Sequence, residues 1–265
     1  MVSGVSTREQ RLVFGEVAEE YDAVRPGYPA DLVAAVMEYA SHASIGMVES
    51  GAGTGIATEP FAAYGTPLTC VEPDPEMATL LARRFAGMPN VSVVVGRFED
   101  WPPPPGGVGL VYAAQSWHWV EPETGFDLAW DALVPGGAIA LFGHVFAFAD
   151  EAMRDALDAA YERIAPQIAA PFYASPHQVA DGWYEQLCAS PRWTDEVNIG
   201  FETIVSYSTV DYLRLLRTLS PHLMLPADTR TALHDAIATA VEEHGGVVRQ
   251  LLNTRLTMAR TVAPG

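Results

Sequence analysis

At 265 residues and 28.6 kDa the chain is long enough for one large α/β domain with an insertion, or for a domain with a small cap, around a substantial core. Its 15 Lys and Arg stand against 33 Asp and Glu, a formal net charge of -18 and a pI near 4.6; such a surface repels nucleic-acid phosphates and anionic lipid and disfavours both as partners. Cys70 and Cys188 stand far apart and read as small core residues, not as a disulfide or a metal pair. With no basic-then-apolar leader and no apolar run of about 18 residues, the expectation is a cytoplasmic protein.

In chain order, residues 8–21 place Leu12, Val13, Val17 and Ala18 at helical spacing, and a loop with Pro26, Gly27 and Pro29 follows. Asp31 reads as the N-cap of a helix through Tyr39, and a first strand covers about 45–50. Helix 56–64, strand 67–72, helix 75–86 and strand 91–95 follow; the run 102–107 is a surface loop. Strand 109–114, helix 123–132, the turn Val134-Pro135-Gly136-Gly137 and strand 138–143 continue the alternation, which implies a mainly parallel sheet covered on both faces. The aromatic-rich stretch 144–196 reads as an inserted cap. A β-rich stretch at 197–208, helices near 209–218 and 228–244, and a strand near 250–262 close the sheet. The expected division is a lid at 1–30, a cofactor-binding core at 31–143, a helical cap at 144–196 and the rest of the sheet at 197–265.

The segment Val48-Glu49-Ser50-Gly51-Ala52-Gly53-Thr54-Gly55 puts three glycines on alternate positions after an apolar run, where backbone must lie against a ligand. The second apolar run, Cys70-Val71-Glu72-Pro73, ends in an acid where an open α/β fold holds a ribose diol. Together these residues describe a nucleoside-containing cofactor. The spacing is not the G-x-G-x-x-G of a nicotinamide-dependent oxidoreductase, and an acidic entry at Glu49 suits a cationic ligand better than a pyrophosphate; that oxidoreductase, and a cofactor-binding protein without catalysis, are the alternative readings.

The glycine loop with Glu72 behind it resembles motif I and the following acidic strand end of class I S-adenosylmethionine-dependent methyltransferases. The stretch Tyr21-Asp22-Ala23-Val24-Arg25-Pro26-Gly27-Tyr28-Pro29 is similar to the N-terminal segment of a bacterial small-molecule subgroup of that family. The resemblance implies a Rossmann-like α/β fold with a seven-stranded, mainly parallel sheet ordered 3-2-1-4-5-7-6, and S-adenosylmethionine as cofactor, with S-adenosylhomocysteine as product. It implies Gly51, Gly53 and Gly55, with Ala52 and Thr54 between them, against the methionine part, and Glu72 and Pro73 at the ribose. It further implies Arg97 and Phe98 at the adenine, Ala114 and Gln115 facing the sulfonium, and a lid of Tyr21, Arg25 and Tyr28, with Arg25 on the cofactor carboxylate. Three residues depart from the family pattern: Ser50 replaces an aliphatic residue, Arg97 an Asp or Asn, and Gly109 an acid at the start of strand 4.

The run Gln115-Ser116-Trp117-His118-Trp119-Val120 lies where the transferred methyl emerges. Trp117 and Trp119 either flank the sulfonium or pack the sheet on a helix; His118 is either a general base or a core histidine. His144 and His222 are further candidates for base or acceptor positioning, Phe146, Phe172 and Tyr173 are candidates for the acceptor pocket, and His42 and His234 read as surface. Methyl transfer needs alignment and water exclusion before it needs a fixed triad, so oxygen and nitrogen acceptors both remain open. The expectation is a methyltransferase for a small, partly apolar acceptor in specialised-metabolite biosynthesis. No metal is expected, and a homo-oligomer stays open.

Overall fold

The computed structural model describes residues 24–169 and 176–262, the side chains of 176–181 excepted; the expected helix at 8–21 and the candidates Tyr21, Phe172 and Tyr173 lie outside the described residues. Its elements are α1 (Ala30–Tyr39), β1 (Met47–Ser50), α2 (Thr58–Ala62), β2 (Leu68–Glu72), α3 (Pro75–Arg84), β3 (Val91–Val95), β4 (Val108–Ala114) and α4 (Gly125–Ala132). They continue with β5 (Leu133–Phe148), α5 (Glu151–Ile164), α6 (Pro176–Ala189), β6 (Trp193–Ser208), α7 (Thr209–Arg217), α8 (Ser220–Leu223), α9 (Ala227–Glu243) and β7 (Val247–Thr261).

The strands form one seven-stranded sheet in the order β3-β2-β1-β4-β5-β7-β6, with β7 antiparallel to both neighbours and the other pairings parallel. This is the Rossmann-like arrangement expected. Leu32, Val33 and Val36 of α1 and Phe61 of α2 pack with Met47, Leu110, Tyr112 and Phe142 on one face. On the other face Ala129 of α4 and Leu187 of α6 pack with Val48, Val111, Ile139 and Leu141. Burying both faces removes a large apolar area from water, at about 25 cal/mol per Å², and explains why the central strands are mainly apolar, with Glu49, Ser50 and Glu72 confined to strand ends.

Local chemistry sets several boundaries. Asp74 caps α3 by accepting from Glu76 N at 2.8 Å and Met77 N at 3.2 Å, with Pro75 at the first turn and Arg83 and Arg84 at the last. Asp150 caps α5 and Ser208 caps α7 in the same way. Asp31 does not cap α1: the helix begins at Ala30 behind Pro29, and Asp31 lies in its first turn, where an acid favours the helix dipole.

The largest departure from expectation is at 144–196. Residues 144–148 extend β5, which pairs antiparallel with β7 as far as Phe148, and Trp193 already starts β6. Within the segment, α6 packs on β5, β6 and β7 as an ordinary sheet-covering helix. Its companion α5 packs with α9, and Met153, Leu157 and Tyr161 share a third core with Tyr212 and Leu215 of α7 and Leu233 and Ile237 of α9. The helical layer at this end therefore comes from two insertions, one on each side of β6. His234, read as surface, is buried within it at 7% exposure, whereas Cys188 is exposed and only Cys70 is a core thiol.

Candidate active site

The glycine loop leaves β1 with positive φ at all three glycines, +67° at Gly51, +57° at Gly53 and +94° at Gly55, so each position favours glycine on backbone grounds alone. Their surroundings differ. A Cβ on Gly51 would lie 2.6 Å from Ser116 Cβ, and one on Gly55 would lie 2.5 Å from Phe85 and 2.7 Å from Leu81. At Gly53 the nearest atom is Met77 Sδ at 3.8 Å. Two of the glycines are thus required by the protein's own packing, and Gly53 alone keeps open space beside it, on a cleft.

Two buried acids stand behind this loop. Glu72, at the end of β2, accepts from Gly53 N at 2.7 Å and Asp74 N at 2.9 Å, which ties the second strand to the loop. Burial pushes its carboxyl up to about 7 against these two N–H bonds, which favour the anion. Glu49 is more enclosed: Thr58 Oγ1 at 2.6 Å and the Tyr112 hydroxyl at 2.9 Å both donate to its Oε2, and burial again pushes it up to about 7. Glu49 therefore serves first as the acceptor that joins β1, α2 and β4, and not as a bare anion at the entrance of the loop.

The cleft lies across the carboxyl ends of β1, β2 and β4, the ligand position of open α/β sheets. Its larger lobe, about 300 Å³, is lined by Gly51, Gly53, Glu72, Pro73, Arg97 and Phe98, by Ala114, Gln115, His118 and Trp119, and by Leu219, Ser220 and Pro221. A smaller lobe of about 40 Å³ carries Glu49, Ala52, Thr54, Tyr28 and His144. Arg25, Gly51, Gly53, Ala114 and Gln115 border both lobes. Gln115 has a left-handed backbone, φ +56°, rare for a non-glycine residue; its N–H donates to Phe142 O at 2.8 Å, across to β5. Such strain concentrates at functional sites.

Arg25 borders the cleft with one edge of its guanidinium already engaged. Its Nε donates to Thr218 Oγ1 and its Nη2 to Thr218 O, both at 3.0 Å, so this edge of the guanidinium meets the C-terminal helices. Tyr28 stacks on His144 at 4.6 Å and meets Phe142 edge-on at 4.9 Å. His144 faces Thr254 Oγ1 across 2.8 Å, and burial holds it neutral, down to about 4, with the Pro26 and Gly27 backbone acting the other way. That value makes His144 a weak base at neutral pH.

Beyond β4 the paired readings separate. Trp117 is buried against Phe98 and Phe126, with ring centroids at 5.6 and 5.4 Å, and packs the sheet. Trp119 lines the cleft, and His118 lines it while remaining exposed. Arg97 pairs with Glu99 at 2.5 Å, and Glu99 also accepts from Glu121 N at 3.0 Å, so the polar rim of the larger lobe is an ion pair. His222 is wholly buried among the C-terminal helices, where it meets Tyr161 and His234, and it does not line the cleft. Phe146 lies on β5 with its edge to His144 and is likewise not a lining residue. Gly109 has a packing reason: a Cβ there would lie 1.7 Å from His42 O.

Sequence reasoning missed Met77, Ser116 and the wall Leu219-Ser220-Pro221. Ser116 is readable only from the crowding at Gly51, and its hydroxyl donates to Ser50 O. The candidate His222 stays out of the cleft, whereas the three residues before it line it. Among the described residues no group of three or more His, Cys, Asp or Glu is placed to hold a metal ion, and no helix is long and apolar enough to cross a membrane.

Residues 48–141 match the methyltransferase domain family. That span runs from the glycine loop to the middle of β5 and contains the cleft residues from Glu49 to Val120, but not Arg25, Tyr28, His144 or Leu219–Pro221. An uncharacterized methyltransferase of Mycobacterium tuberculosis is 32% identical over 136 residues, 51% of this chain and 54% of that protein. A methyltransferase-like protein of Schizosaccharomyces pombe is 31% identical over 124 residues, 46% of this chain and 47% of the relative. The chain thus spans about half the length of the curated relatives it matches. Among solved structures, a putative type II methyltransferase from Anaeromyxobacter dehalogenans superposes with a TM-score of 0.61 at 20% identity, covering 91% of this chain and 99% of that one. The Haemonchus contortus phosphoethanolamine N-methyltransferase 2 in complex with S-adenosyl-L-methionine gives 0.51 at 12% identity over 97% and 58% of the two chains. The fold is the Rossmann-like methyltransferase fold.

Proposed function

We propose that this protein binds S-adenosylmethionine in the two-lobed cleft and transfers its methyl group to a small-molecule acceptor. The observation that carries the reading is the open space beside Gly53 in a loop hydrogen-bonded to Glu72 at the carboxyl ends of β1 and β2. A ligand with a nucleoside at one end and an amino acid at the other fits this donor set. Glu72 would hold the ribose diol, and Pro73, Met77 and Phe98 would sandwich the base, with Arg97 and Glu99 at its polar edge. Ala52 and Thr54 in the smaller lobe, with Glu49, Tyr28 and His144 around them, would take the amino-acid end. Gly55 supports the loop from its far side.

When bound, the cofactor supplies an electrophilic methyl on a sulfonium whose leaving group is a neutral thioether. The chain's own share is alignment and exclusion of water. Gln115 and Ala114 border both lobes, where the reacting centre would lie, and Trp119 offers a ring face to positive charge. Arg25, held by Thr218, closes the far side. His118 is the histidine placed to take a proton from a hydroxyl acceptor or to position an amine; His144 and His222 lie deeper and remain neutral. Acceptor oxygen or nitrogen, and a biosynthetic role, belong to the proposal.

The test is mass spectrometry of the protein incubated with S-adenosylmethionine and a metabolite panel. Formation of S-adenosylhomocysteine together with a methylated product supports the reading. Failure of the protein to bind either form of the cofactor refutes it.

A further inference from the structure

The wall Leu219-Ser220-Pro221 is fastened at both ends. Before it, Thr218 is fully buried, accepts from Arg25 twice at 3.0 Å and donates its hydroxyl to Leu215 O at 2.7 Å. After it, His222 is 0% exposed and turns away from the cleft. Its Nε2 meets the Tyr161 hydroxyl of α5 at 3.0 Å, and its Nδ1 meets His234 Nε2 of α9 at 3.1 Å. One proton on each ring satisfies this chain of contacts in either direction.

The helix that carries the wall is a single turn, Ser220–Leu223, too short to hold its own orientation. Its placement must come from tertiary contacts: Arg230 Nη1 of α9 donates to Leu223 O at 3.4 Å, and the side-chain polar contacts are those of His222. An apolar residue in this position would pack with Leu219, Leu225 and Leu233 without a fixed rotation, whereas two directional hydrogen bonds from different helices define one.

We propose that His222 is a positioning residue: held by Tyr161 and His234, it fixes the Leu219–Pro221 wall and with it the shape of the acceptor end of the cleft. The acceptor part of this inference rests on reading the cleft as a methyl-transfer site; the wall-holding part does not. Burial pushes His222 down to about 3 and His234 to about 4, with Arg230 beside both and Arg217 beside His234 acting in the same direction and Asp235 against. Both rings therefore stay neutral, and the Tyr161 hydroxyl stays protonated, since burial raises it.

The test is hydrogen exchange of full-length protein saturated with S-adenosylhomocysteine, followed at the amides of His222, Leu223, Met224 and Leu225, whose N–H groups bond to Leu219, Ser220 and His222 carbonyls. His222→Leu and Tyr161→Phe should speed exchange there about tenfold while strands β1 and β4 keep their protection, and His222→Gln should restore most of it by again meeting the Tyr161 hydroxyl. Tyr161→Phe keeps the ring and guards against a variant that fails to fold. Unchanged exchange at these amides in both Leu and Phe variants, or equal loosening across the central strands with no rescue by Gln, overturns the proposal. Failure of the cofactor reading shows separately, as absence of S-adenosylhomocysteine binding to the unmodified protein; the same exchange measurement without ligand then still decides whether His222 holds the wall.

Discussion

Replacing the loop glycines one at a time separates ligand contact from packing. Gly53→Ala puts a methyl group at a φ of +57°, a left-handed position that costs an L-residue about 1–2 kcal/mol. Among the described residues its only close neighbour is Met77 Sδ at 3.8 Å, so these add no steric penalty. For a chain of this size the melting temperature should fall by roughly 2–8 °C. Gly55→Ala pays the same backbone cost and drives its Cβ to 2.5 Å from Phe85 and 2.7 Å from Leu81; overpacking adds about 1–3 kcal/mol. The less destabilised variant should be the one that loses the ligand. Gly53→Ala should weaken S-adenosylhomocysteine binding at least about tenfold, roughly 1.4 kcal/mol by calorimetry, because its methyl projects into the cleft. A folded Gly53→Ala protein with wild-type affinity would refute the placement of the cofactor against this loop.

Glu72→Gln keeps the size of the side chain but removes its charge, and should weaken S-adenosylhomocysteine by about 1.5–3 kcal/mol, the range for hydrogen bonds to a charged group; an unchanged calorimetric affinity would take Glu72 off the ribose. If the acceptor is a hydroxyl, His118→Ala should slow single-turnover methyl transfer by roughly 10²–10⁴-fold, while the same change at His144, down at about 4, should not act through proton transfer; equal, acid-shifted pH profiles for both variants would contradict this. Stability against pH should be nearly flat between 7 and 5. As pH falls below the ordinary histidine value, the unfolded chain takes up protons that folded His144, His222 and His234, down at about 4, 3 and 4, refuse, which destabilises the fold. Folded Glu49 and Glu72, up at about 7, take up protons over the same range before the unfolded chain does, which offsets the loss until pH nears 4.5. Glu49→Gln should unmask the histidine slope in urea melts at pH 7, 6 and 5; a variant curve parallel to wild type would show that the opposing groups are misassigned.

The sheet was legible because its signals are local: the glycine loop and short, mainly apolar runs between turn residues each announce themselves within a short window. The floor of the larger lobe was legible for the same reason: Gly53, Glu72, Phe98 and Gln115, singled out because they come after strand ends, all line it. What was not legible depends on long-range pairing. β5 outran its expected end at 143 because antiparallel pairing with β7, more than a hundred residues on, carries it to Phe148. Leu219, Ser220 and Pro221 were hidden because nothing local in these ordinary residues says that they reach the cleft; the long-range contacts of Thr218 and His222 on either side of them do. Of the two tryptophans after β4, adjacent in pattern and alike in chemistry, only the packing of Phe98 and Phe126 decides which is core.

The most direct test of the account is calorimetric titration of the full-length protein with S-adenosylhomocysteine, with NAD as the competing ligand. The cleft predicts one-to-one binding of S-adenosylhomocysteine that NAD does not displace. Absence of binding, or tighter binding of NAD at the same site, would contradict it.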